Sequence, residues 1–129
     1  MEAPKFRAYD GGSLNRMYQP DEVMVGNGNI WIIDEDSVAG DWIVNNDIHL
    51  MQSTGLVDKN GKEIFEGDVV KMTKDVYSEP TYYKIVRHRG GAYRLESKQH
   101  GCELWLRHTD CEVVGNVYEN QELLEEAED

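Results

Sequence analysis

The sequence predicts a mainly β protein, and three observations carry that reading. Short apolar–polar alternations recur along the chain. Gly- and Asn-containing turn signals separate them at close intervals. From residue 64 onward about five such strands follow one another in roughly 55 residues. Many brief strands in a small chain favour a sandwich or a small closed barrel, because closure hides sheet edges.

The elements follow in order. Lys5 to Tyr9 alternates like a strand, with Phe6 and Ala8 on one side, and Asp10-Gly11-Gly12 breaks it. Glu22 to Val25 and Ile30 to Ile33 flank Gly26-Asn27-Gly28-Asn29, a hairpin signal because Asn and Gly reach positive φ cheaply. Asp34-Glu35-Asp36 reads as a charged loop or a helix start, Asp41 to Asn46 is ambiguous, and Ile48 to Gln52 reads as a strand. Asn60-Gly61 marks a tight turn between apolar positions, and Phe65-Glu66-Gly67-Asp68 a second one before Val69 to Met72.

The polar residues 73 to 80 read as a loop, ending at Pro80. Tyr82 to Arg87 is a strand, Gly90-Gly91 a turn, and Ala92 to Glu96 the returning strand. Cys102 to Arg107 is expected as another, with Leu104 and Leu106 opposite Glu103 and Trp105. Cys111 to Tyr118 completes the set. The tail after it reads as a short helix capped by Asn120.

Composition bounds the function classes. The 129 residues suffice for one compact domain, or one domain with a small appendage. Acidic side chains number 25 against 13 basic, for a formal net charge of −12. That excess keeps the chain soluble and repels phosphate backbones, which argues against a general nucleic-acid coat. No apolar run approaches the roughly 18 residues of a membrane span. The opening residues have no apolar signal region, so the expected compartment is the cytoplasm. Cys102 and Cys111 are too few for a disulfide framework.

Three features invite chemistry. His100, Cys102, His108 and Cys111 offer the ligand types that zinc takes, but the spacing H-x-C-x5-H-x2-C fits no common zinc motif. The plain alternative is two buried thiols beside exposed histidines, so no metal and no cofactor are expected. Lys84, Arg87, Arg89, Arg94, Lys98 and Arg107 stand against Glu96 and Glu103, a local surplus of four positive charges. Tyr82, Tyr83, Tyr93 and Trp105 interleave with them. A small barrel can bind single strands this way, by stacking bases along a basic groove. The plain alternative places the aromatics in the core and the bases on a solvated face. Last, acids crowd the C-terminus, which reads as a solvated tail or as an imitation of DNA that blocks a host factor. No phosphate loop, G-x-S-x-G or H-E-x-x-H is present, so no catalytic residues are assigned and no enzyme is expected.

Residues 50–70, with Thr54-Gly55-Leu56-Val57-Asp58-Lys59-Asn60-Gly61-Lys62-Glu63-Ile64 at their centre, resemble the signature of YopX-type proteins of phages and prophages. Lys5-Phe6-Arg7-Ala8-Tyr9-Asp10 is similar to that family's opening motif. Val113-Val114-Gly115-Asn116-Val117-Tyr118-Glu119-Asn120 with Leu123-Leu124 is similar to its ending. The resemblance implies a C-terminal SH3-like small β barrel preceded by a less regular N-terminal part. Joined to the elements above, it gives an N-terminal segment with a β-hairpin over 1–55, the barrel over 56–118 and an acidic helix or tail over 119–129. It implies no catalytic residue. Within the central motif, the glycines mark turns that Asp58, Asn60 and Asp68 hold by local hydrogen bonds. The expected role is a phage-encoded accessory protein that works by protein–protein contact, with itself or with a host protein in the bacterial cytoplasm. Exposed strands and aromatics such as Trp31 and Trp42 motivate the self-association, while the favoured reading of the two tryptophans is burial in the N-terminal core.

Overall fold

A computed structural model of the chain describes residues 5–12, 15–34, 36–72, 81–88, 91–97 and 101–126. The protein is mainly β, in curled antiparallel sheets with a short helix. It divides into two compact units, Met1–Ser53 and Thr54–Asp129.

The first unit opens with β1 (Phe6–Asp10), which pairs antiparallel with β2 (Arg16–Tyr18). Its other edge pairs with β6 (His49–Val57), the strand within which the chain passes from one unit to the next. Between these lie a 3-10 turn at Pro20–Glu22 and a three-stranded meander. That meander comprises β3 (Val23–Gly26), β4 (Asn29–Ile33) and β5 (Trp42–Val44). The Asn-Gly signal forms the β3–β4 hairpin. Asn27 and Gly28 sit at φ 52 and 76, the two positive φ values that match a two-residue turn to the strand twist. Ala8, Tyr18, Val23, Ile32 and Ile48 bury together as this unit's core.

In the second unit, Asp58 organises the central motif. Its Oδ1 accepts from the backbone N–H of Asn60 (2.8 Å) and Lys62 (2.9 Å), and its Oδ2 accepts from that of Val113 (2.9 Å). One carboxylate thus closes the turn over Gly61 and ties it to a strand more than fifty residues later. Then come β7 (Glu63–Phe65), a turn at Gly67 and β8 (Asp68–Met72). Asp68, fully buried, accepts from Phe65 N–H at 2.8 Å and holds that turn.

The sheet continues with β9 (Thr81–Arg87), β10 (Tyr93–Glu96), β11 (Gly101–Glu103) and β12 (Glu112–Asn116). Its order is β11-β10-β9-β8-β12, antiparallel throughout. Ile64, Val70, Met72, Ile85, Leu95, Leu104 and Cys111 form the core against its inner face.

Two local expectations are corrected. The strand expected over Cys102–Arg107 ends at Glu103, and a helical turn, α1 (Leu104–Arg107), replaces its second half. Leu104 is fully buried while Trp105 and Leu106 are exposed. One apolar anchor is enough to seat a turn, and the chain must reverse there to carry β12 back beside β8. The terminal helix, α2 (Glu122–Glu126), is present, but Asn120 does not cap it with its side chain. Its Oδ1 points back to accept from Asn116 N–H at 3.2 Å, lying over Gly115, where a Cβ would fall 2.5 Å from it. Gly115 follows a bulge in β12, and its missing side chain makes room for that return.

Candidate functional site

The predicted basic stretch does not fold into one basic face. Cross-strand partners share a side of the sheet. Lys84 stands opposite Glu96, and Arg94 opposite Val86 and Glu103, all on the outer side. Arg87 pairs with Tyr93 and therefore points to the other side, with Ile85 and Leu95. Arg94 bonds Glu103 at 3.4 Å, and Arg107, on α1, bonds Asp110 at 3.0 Å. On the same outer side Lys71 bonds Glu112 at 3.1 Å, and that hydrogen bond holds the Glu112 carboxyl below its usual range. That side thus mixes bases with acids, and Asp110, beyond the acids already counted, offsets one of the four surplus charges read from the sequence. Arg89 and Lys98 lie outside the described residues.

The His/Cys group is likewise dispersed among other duties. Cys111 is fully buried, its thiol donates to Arg107 O (3.3 Å), and burial pushes its pKa up to about 12. Zinc takes the thiolate, which that burial disfavours. Cys102 packs against the same core, and both thiols are free. His108 Nδ1 lies 2.7 Å from Val57 O. His100 lies outside the described residues. Among the described residues, no three His, Cys, Asp or Glu side chains gather where one metal ion would sit.

A different feature stands out: the three-stranded meander of the first unit. Met24, Trp31 and Val44 stand side by side across its three strands, with Ile33 beside Trp42 in the next row. Val23 and Ile32, on the opposite side, are buried in the core. The row itself stays open, with Met24 49 % and Val44 45 % exposed and Trp31 half-buried. β5 is an edge strand, and all three of its residues are exposed: Trp42 37 %, Ile43 44 %, Val44 45 %. The sequence named Trp31 and Trp42 for this region but assigned no strand at 42–44. Three residues are too few for alternation to register, and the pairing that makes them a strand comes from β4. In the second unit, a smaller exposed apolar pair, Trp105 and Leu106, sits on α1.

Among the described residues, no helix is long and apolar enough to cross a membrane.

Comparison with known proteins places these features in a family. No curated protein matches the chain. Among solved structures it is similar to the protein EF1440 from Enterococcus faecalis. That match has 29% identity over 95% of this chain and 98% of that one, with a TM-score of 0.61. It is also similar in fold to the protein yopX from Bacillus subtilis. There the identity is 20%, the coverage 93% and 97%, and the TM-score 0.65. A family model described as YopX protein matches residues 5–125, so the chain belongs to the YopX family.

Proposed function

We propose that this protein is a non-enzymatic accessory protein of a phage or prophage, and that it acts by binding another protein. The observation that carries this reading is the open apolar side of the β3–β5 meander, ending in an edge strand exposed on every residue. A sheet that buries Val23 and Ile32 on one side and leaves Met24 and Val44 exposed on the other, with Trp31 half-buried between them, is suited to cover by a partner. The phage or prophage origin comes from the resemblance of the central motif.

The second unit, Thr54–Asp129, has a fold of its own. We read it as a small SH3-like barrel, supported by a five-stranded antiparallel order wrapped on one core, with a helical turn returning the chain to β8. Two other readings fit less well. A nucleic-acid module would need Lys84, Arg87 and Arg94 on one side, and the register divides them. A DNA mimic would present carboxylates on its contact face, where this one presents apolar side chains.

The test is affinity capture from host lysate with the tagged protein and a Trp42→Ser/Val44→Ser variant, each with and without nuclease. Secondary structure is checked by circular dichroism. The expected result is a protein captured by the wild type, unchanged by nuclease and lost in the folded variant. Capture abolished by nuclease, or retained in full by the variant, would contradict the proposal.

A further inference from the structure

The partner's chemistry can be read from the meander's charge and from its open edge. Residues 17–48, which build all three strands, contain seven acidic side chains and no lysine, arginine or histidine. Glu22 is paired, with Arg16. Asp34 and Asp41 use their side chains in local turns, accepting from Asp36 N–H (3.0 Å) and Ser37 Oγ–H (2.9 Å). Asp21, Asp34, Asp36, Asp41 and Asp47 have no cationic partner among the described residues. The exposed apolar strand is therefore flanked by two acids, Asp41 and Asp47, that have no cationic partner among the described residues.

The backbone of β5 supplies direction. Asn45 N–H donates to Ile30 O (2.9 Å), and Asp41 O accepts from Asp34 N–H (2.8 Å). In an antiparallel pair, successive residues turn their N–H and C=O alternately toward and away from the neighbour. Asp41, Ile43 and Asn45 thus face β4, while Trp42 and Val44 turn theirs to the open edge. No described residue pairs with those outward groups.

We propose that β5 accepts an added strand from a cationic protein segment, one with apolar side chains alternating with lysine or arginine. This rests on the protein-contact reading above and gives that partner its chemistry. The added backbone would bond Trp42 and Val44, as in strand addition at any open sheet edge. Its apolar side chains would extend the row of Val44, Trp31 and Met24. Its cations would meet the acids that have no cationic partner among the described residues. A second copy is a poor occupant. Antiparallel pairing of two β5 strands would bring Asp41 of one copy toward the Asp47 end of the other, joining like charges.

The test uses the intact protein and three blocked synthetic peptides: alternating Lys-Val, alternating Glu-Val, and the Lys-Val peptide N-methylated on alternate residues along one edge. Binding is read by tryptophan fluorescence and by amide shifts. The expected result is binding of the Lys-Val peptide, with shifts centred on Trp42 and Val44 and affinity falling as salt screens the charges. The Glu-Val and N-methylated peptides should not bind. Val44→Pro removes an outward N–H without touching the β4 ladder, a placement that edge strands tolerate. It should weaken binding about fivefold or more, the scale of one net hydrogen bond. Should that variant not fold, Asp41→Asn/Asp47→Asn replaces it, and should lower affinity at low salt more than at high salt. Equal binding of the Glu-Val peptide, binding with shifts elsewhere, or dimerisation through β5 would overturn the proposal. If the Lys-Val peptide fails while lysate capture still depends on Trp42 and Val44, the cationic partner is wrong and the contact surface stands. If capture fails as well, both fall.

Discussion

Asp58 shows how much one side chain can hold. It is 3 % exposed and accepts three backbone N–H groups, two within its own turn and one from β12. Burial alone would raise its pKa, but the N–H groups of Val113, Lys62 and Asn60 outweigh burial and hold it below the usual carboxylate value. Asp58→Ala leaves three donors unpaired and should cost about 3 kcal/mol, read as a lower urea midpoint. A carboxyl with a depressed folded pKa gives its full stabilisation above its unfolded pKa and loses it as pH falls through the folded value. The wild type should therefore lose stability below about pH 4, the ordinary carboxylate range. Asp58→Asn, which has no charge to lose, should show a smaller fall between pH 7 and pH 3. At Cys111 the buried thiol, with its pKa of about 12, should resist alkylation in the folded protein at neutral pH and react after denaturation. Asp58 and Asp68 were legible as turn-holders from their place beside Gly61 and Gly67. The strand that Asp58 would reach was not, because the bond to Val113 spans 55 positions and no local pattern encodes it.

Elements were legible where a turn fixed them. Asn27-Gly28 and Asn60-Gly61 announce their reversals by chemistry, and the strands beside them follow. The Cys102–Arg107 region shows the limit. Glu103, Leu104, Trp105 and Leu106 alternate apolar with polar or amphipathic side chains, so a strand period fits. A single turn of helix fits as well, and tertiary context decides by burying Leu104 alone. The two assignments differ in a measurable way. A strand would put Leu104 and Leu106 on one side, so that both truncations would be costly. The helical turn predicts that Leu104→Ala costs about 2–5 kcal/mol, as a buried leucine does. Leu106→Ala and Trp105→Ala should stay within about 0.5 kcal/mol, as exposed sites do. Denaturant unfolding of the three variants checks it. At Gly115, substitution by Ala should displace the Asn120 side chain and loosen α2, seen as lower hydrogen-exchange protection over 120–124.

At the scale of the molecule, the mainly β class was legible from turn spacing, and membership of the YopX family from the central motif with its two outer pieces. The candidate site was legible only in fragments. Trp31 and Trp42 could be named, but their common side of a sheet depends on β4 pairing with both of its neighbours. The basic stretch reads differently in sequence and in fold for the opposite reason. A linear count adds charges that the folded sheet separates to two sides and pairs with Glu103 and Asp110. Among the described residues β5 is an apolar edge strand left uncovered, although sheet edges are ordinarily shielded against pairing.

Hydrogen exchange at the Trp42 and Val44 amides tests the protein-contact reading most directly, comparing the free protein with the complex captured from host lysate. Groups that point to an open edge exchange readily, and a partner strand protects them. The account predicts fast exchange at both amides in the free monomer and slow exchange in the complex. Equal exchange in the two states, or protection already present in the free monomer, would contradict it.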